Sequence, residues 1–236
     1  MAYSQGETLG LAERALQVQS FITRVYGWMS VGLMTTALVA AYVASNQSMM
    51  EAILMNRAIV WGLLGAELLL VFGLSAMINR ISAATALGVF LLYSALNGAT
   101  FSILLLIYTA QSIGLTFAIT AGMFGSMCLF GAVTKRDLTS MGSFMFMGLI
   151  GLIIASFANF FLHSTMVYWL TTYFGIFIFV GLTAYDAQKV KRIGEQAFMG
   201  GEDAMKKASV MGALALYLDF VNMFLYLLRI IGKQRE

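Results

Sequence analysis

The sequence predicts an all-α polytopic membrane protein, and three observations carry that reading. Of the 236 residues, 60% are hydrophobic and 11% are charged, whereas a soluble domain carries about 25% charged residues. Seven apolar segments follow one another, at 25–45, 58–78, 84–107, 113–134, 141–163, 167–188 and 209–231, and each reaches the ~20 residues that cross a bilayer. No polar stretch between them is long enough to fold as a separate soluble domain. The expected organisation is an N-terminal tail over 1–24, a seven-helix membrane domain over 25–232 and a C-terminal tail over 233–236.

The tail is expected to be retained, because the apolar run behind it is longer than the h-region of a cleaved leader. Leu11, Ala15, Val18 and Ile22 recur at helical spacing and form one apolar face. That face is expected either to rest on the membrane surface or to be gripped by a partner. The net charge of +3 sits on loops, so it reports orientation rather than nucleic-acid binding. Membrane lipid is an expected partner; nucleic acid is not. With the N-terminus in the cytoplasm, Arg14, Arg24, Arg80, Lys135, Arg136, Lys189, Lys191, Arg192, Lys206 and Lys207 fall inside over the first six segments, and only Arg57 falls outside. Positive charge is retained on the cytoplasmic side, so this asymmetry orients the chain. It fits a bacterial inner membrane.

The seventh segment breaks the pattern. Full crossing places Arg229, Lys233 and Arg235 outside, and re-entry returns them to the cytoplasm. Shielding of this helix by the other six would weaken both lipid-based arguments. Charge favours re-entry, length favours crossing, and the sequence leaves the choice open.

Cys128 lies in an apolar run and, as the single cysteine, forms no internal disulfide. The chain has no proline and 23 glycines, so any helix kink must use glycine. Its 17 methionines suit irregular gaps between helices; Met145 and Met147 fall on different faces and make no metal pair. Polar residues mark faces that avoid lipid: Tyr93, Asn97 and Thr100 in the third segment, and Ser156, Asn159 and His163 in the fifth. Ala118, Gly122 and Ser126 at four-residue spacing permit close helix approach in the fourth. Gly212, Ala215, Asp219, Asn222 and Tyr226 give the seventh a small, polar face throughout, which predicts a helix lying against protein along its length.

Three acids lie within apolar segments. A carboxylate at the centre of a membrane helix costs about 2.5–3.5 kcal/mol on insertion scales, so such groups are generally paired or face a wet cavity. Asp186 lies near the cytoplasmic end of the sixth segment. Asp219 lies about ten residues into the seventh, roughly 15 Å deep at 1.5 Å per residue. If the two meet, they resist ionising together and share a proton; deprotonated, they offer hard oxygen ligands suited to Ca²⁺. The competing reading keeps them apart, with Asp186 snorkelling beside Lys189 and Asp219 hydrogen-bonded to Asn or Tyr. Glu67, mid-way along the second segment, is a further site candidate or a protonated acid bonded between helices. Arg80, 13 residues further on, is about 20 Å away along a helix and cannot be its partner. His163, at the outer end of the fifth segment, is expected to be structural. No phosphate loop, Cys-x-x-Cys or supported Ser/His/Asp set is present.

GLTAYDAQKVKR (181–192) followed by LYLDFVNMFLYLLRIIG (216–232) resembles the C-terminal motif of the Bax inhibitor-1, or transmembrane Bax inhibitor motif, family. LYSALNGATFS (92–102) and TKRDL (134–138) resemble its bacterial branch. The resemblance implies a central seventh helix surrounded by six others in two three-helix layers. It also implies a pH-sensitive calcium leak gated by an aspartate pair, which Asp186 and Asp219 match by motif. Glu67 then corresponds to an acid on the second helix, and Arg80 approximately to an arginine that latches the pair. Asn222, on the face of Asp219, joins them as a candidate for the ion path. Two departures bear on the gating: Ala187 stands where the motif has threonine, and the loop before the seventh segment is longer than in some members.

Three functions compete. A leak would carry calcium as its transported ion and hold no resident cofactor. A membrane-embedded regulator would engage a membrane-bound protease through the polar N-terminal tail. An intramembrane aspartyl protease would activate water with two acids, but Leu216-Tyr217-Leu218 precedes Asp219 where the second protease motif requires Gly-x-Gly. The leak is the expected function, and no enzyme activity is expected.

Overall fold

The computed structural model describes residues 2–196 and 201–235, with side chains described from Leu16 onward. Among these residues the chain forms α1 (Ala2–Ser45), α2 (Gln47–Met55), α3 (Arg57–Met77), α4 (Ala83–Ile107), α5 (Ala110–Val133), α6 (Thr139–Leu162), α7 (Thr165–Gln196) and α8 (Gly201–Ile231). All but α2 are long and apolar enough to cross a membrane, and these seven coincide with the seven expected segments. The protein is a polytopic all-α membrane protein.

Short connections are sealed by side chains that accept the free N–H groups of the next helix. Asn46 caps α2 through the Met49 amide at 3.2 Å, and Asn56 caps α3 through the Ala58 amide at 3.0 Å. The Ser82 hydroxyl accepts from Thr85 at 3.1 Å before α4. Thr109 accepts from Ser112 at 3.3 Å before α5. The short α2 is the one helix beyond the seven segments; the cap at Asn46 lets residues that read as a loop take a helical turn.

α1 is continuous for 44 residues, so residues before Arg24 prolong the first span instead of forming a separate surface helix. Of its expected apolar face, Leu11 and Ala15 lie outside the described side chains. Val18 and Ile22 are half-buried beside the fully buried Phe21 and Val25.

The chain divides into two compact units. The first comprises residues 1–102 with 189–214. In it α1 and α4 approach closely, since a Cβ at Gly98 would lie 2.6 Å from the Thr36 carbonyl oxygen. The Thr36 hydroxyl donates to the Ser94 carbonyl at 2.9 Å. The second comprises residues 103–188 with 215–236. Its core gathers Met145 and Leu152 of α6, Ile178, Phe179 and Leu182 of α7, and Met223 and Leu227 of α8.

α8 is long and apolar enough to cross, and from Ala215 onward it belongs to the second unit. Its end is joined to the α4–α5 connection: the Thr109 amide donates to the Lys233 carbonyl at 3.0 Å, and the Arg235 amide to Ile107 at 2.9 Å. Half of its most apolar stretch is buried, against 6% in α3, as expected of a helix covered by protein. The Ala118, Gly122 and Ser126 stripe does not behave as its spacing predicts. All three are exposed, and nothing lies within 4 Å of a Cβ placed on Gly122. α5 instead buries the neighbouring face of Ser112, Thr116, Thr120, Phe124 and Cys128.

Candidate functional site

α7 and α8 run antiparallel through the second unit. Tyr226 stacks on Phe179 with ring centroids 6.0 Å apart, and its ring covers Gly175, where an added Cβ would come within 2.7 Å. Towards the end of α8 the Arg229 guanidinium lies 5.4 Å from the centre of the Tyr168 ring. In the opposite direction the same pairing brings Asp219 within electrostatic reach of Asp186. The two acids lie 33 positions apart (219 − 186), and the helical hairpin makes them neighbours.

Their surroundings differ. Asp219 is 3% exposed, and its Oδ2 is buried with no hydrogen-bond partner among the described residues. Leu216, Tyr217 and Phe220 around it are buried. Phe220 packs against Phe117 at 5.3 Å and Phe124 at 5.4 Å, closing the side towards α5. Asp186 is half-buried. The pair thus joins a sealed carboxyl to a more open one. In general, two carboxyls brought together in a water-poor setting resist carrying two charges at once.

The stretch of α7 that carries Asp186 is fixed by close contacts. A Cβ on Gly131 of α5 would strike the Ala184 carbonyl oxygen, and one on Gly142 of α6 would strike the Tyr185 ring. The Gln188 side chain accepts from the Leu138 amide at 2.9 Å and donates to the Arg136 carbonyl at 2.8 Å. It thereby ties the 134–138 connection to α7, two residues beyond Asp186. Neither the glycine contacts nor Gln188 was singled out from the sequence; a glutamine within this apolar helix, opposite a short polar loop, was the available signal.

The remaining candidates are placed as follows. Asn222 is half-buried and donates to the Leu218 carbonyl at 2.8 Å on its own helix. Glu67 belongs to the first unit, where its Oε1 accepts from the Thr100 hydroxyl at 2.5 Å; it also lies within electrostatic reach of the buried Tyr93. The interhelical hydrogen bond considered for Glu67 is therefore present, between α3 and α4. Arg80 stands exposed in the turn that follows α3. His163 closes α6 in the left-handed conformation, φ 50°, which accounts for it structurally. Met145 is buried and Met147 exposed, on different faces as expected.

The second unit also buries hydroxyl groups whose protons go to carbonyls of their own helices. Thr116 donates to Ser112 at 2.8 Å, Thr120 to Thr116 at 2.8 Å, and Thr183 to Phe179 at 2.7 Å. Their oxygen lone pairs remain for acceptor contacts. Ca²⁺ takes about 6–8 oxygen ligands. Among the described residues no three or more His, Cys, Asp or Glu side chains gather, so a cation at the acid pair would complete its shell with carbonyls, hydroxyls or water.

The sequence pattern of the family described as "Inhibitor of apoptosis-promoting Bax1" matches residues 18–236. The chain belongs to the Bax inhibitor-1 family. The inner membrane protein YbhL of Escherichia coli strain K12 is 51% identical to it over 218 residues, covering 92% of this chain and 93% of the relative. An uncharacterized protein of Borreliella burgdorferi is 42% identical over 216 residues, with 92% and 93% covered. An uncharacterized membrane protein of Streptococcus pyogenes serotype M1 is 34% identical over 218 residues, with the same coverage. Membership of the Bax inhibitor-1 family therefore applies to nearly the whole chain, beyond the C-terminal motif that first pointed to it.

Proposed function

We propose that this Bax inhibitor-1 family protein is a pH-responsive leak for a hard cation, calcium foremost, with Asp186 and Asp219 as its gate. The observation that carries the reading is the buried, unpartnered Oδ2 of Asp219 beside a second carboxyl. Sharing one proton, the two groups can hydrogen-bond and hold α7 against α8. With the proton gone, two like charges in a low-dielectric interior repel, and the relief is to separate the helices or admit a cation. The buried hydroxyl oxygens of α5 and α7 suit such an ion, because hard cations prefer oxygen ligands. Asn222, on the same helix as Asp219, is proposed to contribute along the ion path. We place the protein in the inner membrane with its N-terminus in the cytoplasm, on the loop-charge asymmetry and the description carried by YbhL.

The test is calcium flux into proteoliposomes across about pH 6 to 8, the range in which a shared proton exchanges if the pair titrates near neutrality. Asp219→Asn and Asp186→Asn should each flatten the pH response. A wild-type-like profile in both variants would remove the pair from the mechanism.

A further inference from the structure

The segment that carries the cations which break the inside-positive pattern is tied down by its backbone and by two arginine side chains. Chain termini ordinarily fray, yet here the backbone beyond α8 is secured. Besides the two amide bonds to the α4–α5 connection, the Lys233 amide donates to the Ser112 hydroxyl at 2.6 Å. The Arg235 Nε donates to the Tyr108 carbonyl at 3.2 Å. One turn back, the Arg229 guanidinium lies 5.1 Å from the centre of the Tyr226 ring and 5.4 Å from that of Tyr168. Arg229, Lys233 and Arg235 are all exposed, and among the described residues no carboxylate pairs with them. Tyr108, between Arg235 and Arg229, has its phenol pushed above the usual range by burial, with Tyr168 adding and Arg229 opposing; it stays a neutral wall of the patch.

We infer that this end of α8 is a seat for the phosphate headgroup of an anionic phospholipid, held by Arg229, Lys233 and Arg235. The patch lies where an apolar span ends, at the depth of lipid headgroups. Arginine offers a planar fork that matches phosphate oxygens, and aromatic rings at a span end sit at headgroup depth. Trp169 stacks with Tyr173, centroids 6.0 Å apart and both exposed, and supplies the apolar flank for the glycerol and upper acyl chain. The inference stands apart from the leak, because it concerns the opposite end of the α7–α8 hairpin from the acid pair.

The probe is phosphatidylglycerol against phosphatidylcholine, with retention of lipid on the purified full chain read by native mass spectrometry. At about 1 kcal/mol per cation near an anionic surface, Lys233→Gln with Arg235→Gln should lower phosphatidylglycerol retention roughly thirtyfold. Arg229→Gln should lower it further, whereas Arg235→Lys should keep most of it. Lys206→Gln with Lys207→Gln removes the same charge elsewhere and should leave retention unchanged. Wild-type protein alone should be stabilised to heat by phosphatidylglycerol over phosphatidylcholine, which serves if the tail variants do not fold. Equal retention of both lipids by the wild type, equal loss in the Lys206/Lys207 control, or displacement by inorganic phosphate would overturn the assignment to a lipid.

Discussion

Asp219 and Gln188 show how differently a buried polar side chain can be treated. Gln188 is 7% exposed and uses both ends of its amide, so it rigidifies the loop it touches. Gln188→Ala leaves the Leu138 amide and Arg136 carbonyl without that partner, and the cost of such orphaned groups is about 1–3 kcal/mol. A thermal melt should show that loss, and a flux assay should show a displaced pH midpoint if α7 must be held for the acids to meet. Asp219 keeps an oxygen with no hydrogen-bond partner among the described residues, as the proposed gate requires. Tyr108 provides an alkaline test. Its phenol titrates higher folded than unfolded, so its contribution is fully present below the ordinary tyrosine pKa of about 10 and is lost as pH rises through the folded value. Tyr108→Phe should therefore melt with a shallower decline than wild type above about pH 10.

At the level of helices, glycine placement separates contact from mere composition. Gly131→Ala presses a methyl group onto the α7 backbone and should destabilise by about 1–3 kcal/mol. Gly122→Ala meets open space and should be neutral, or stabilising by up to about 1 kcal/mol from helix propensity. Opposite outcomes in melts of the two variants would contradict this packing. The seven spans were legible because twenty-residue apolar runs have no other use in so uncharged a chain. The polar face of α8 was legible because Gly212, Asp219 and Asn222 would otherwise meet lipid. The buried face of α5 was not, since Ala118, Gly122 and Ser126 looked as suitable for contact as Ser112, Thr116 and Thr120. Which stripe faces a neighbour depends on helix rotation, which spacing alone does not set. The acid pair came from motif as much as from physics: residue spacing left Asp186 free to snorkel, and the antiparallel run of α7 on α8 brings it within electrostatic reach of Asp219.

For the molecule as a whole, the bonds that join the end of α8 to the α4–α5 connection place those two segments on one face. With Cys128→Ser as background, Gln234→Cys and Gln111→Cys should be labelled by an impermeant thiol reagent from one side of intact vesicles, and Gln196→Cys from the other. Labelling of Gln234→Cys and Gln196→Cys from a common side would restore the re-entrant arrangement. The bonds from Lys233 and Arg235 back to residues 107–112 also have a temporal meaning. Their partners are made more than a hundred residues earlier. The α4–α5 connection therefore lacks those bonds until Lys233 and Arg235 have been made. A chain stopped just short of Lys233 would carry every span and still lack that closure.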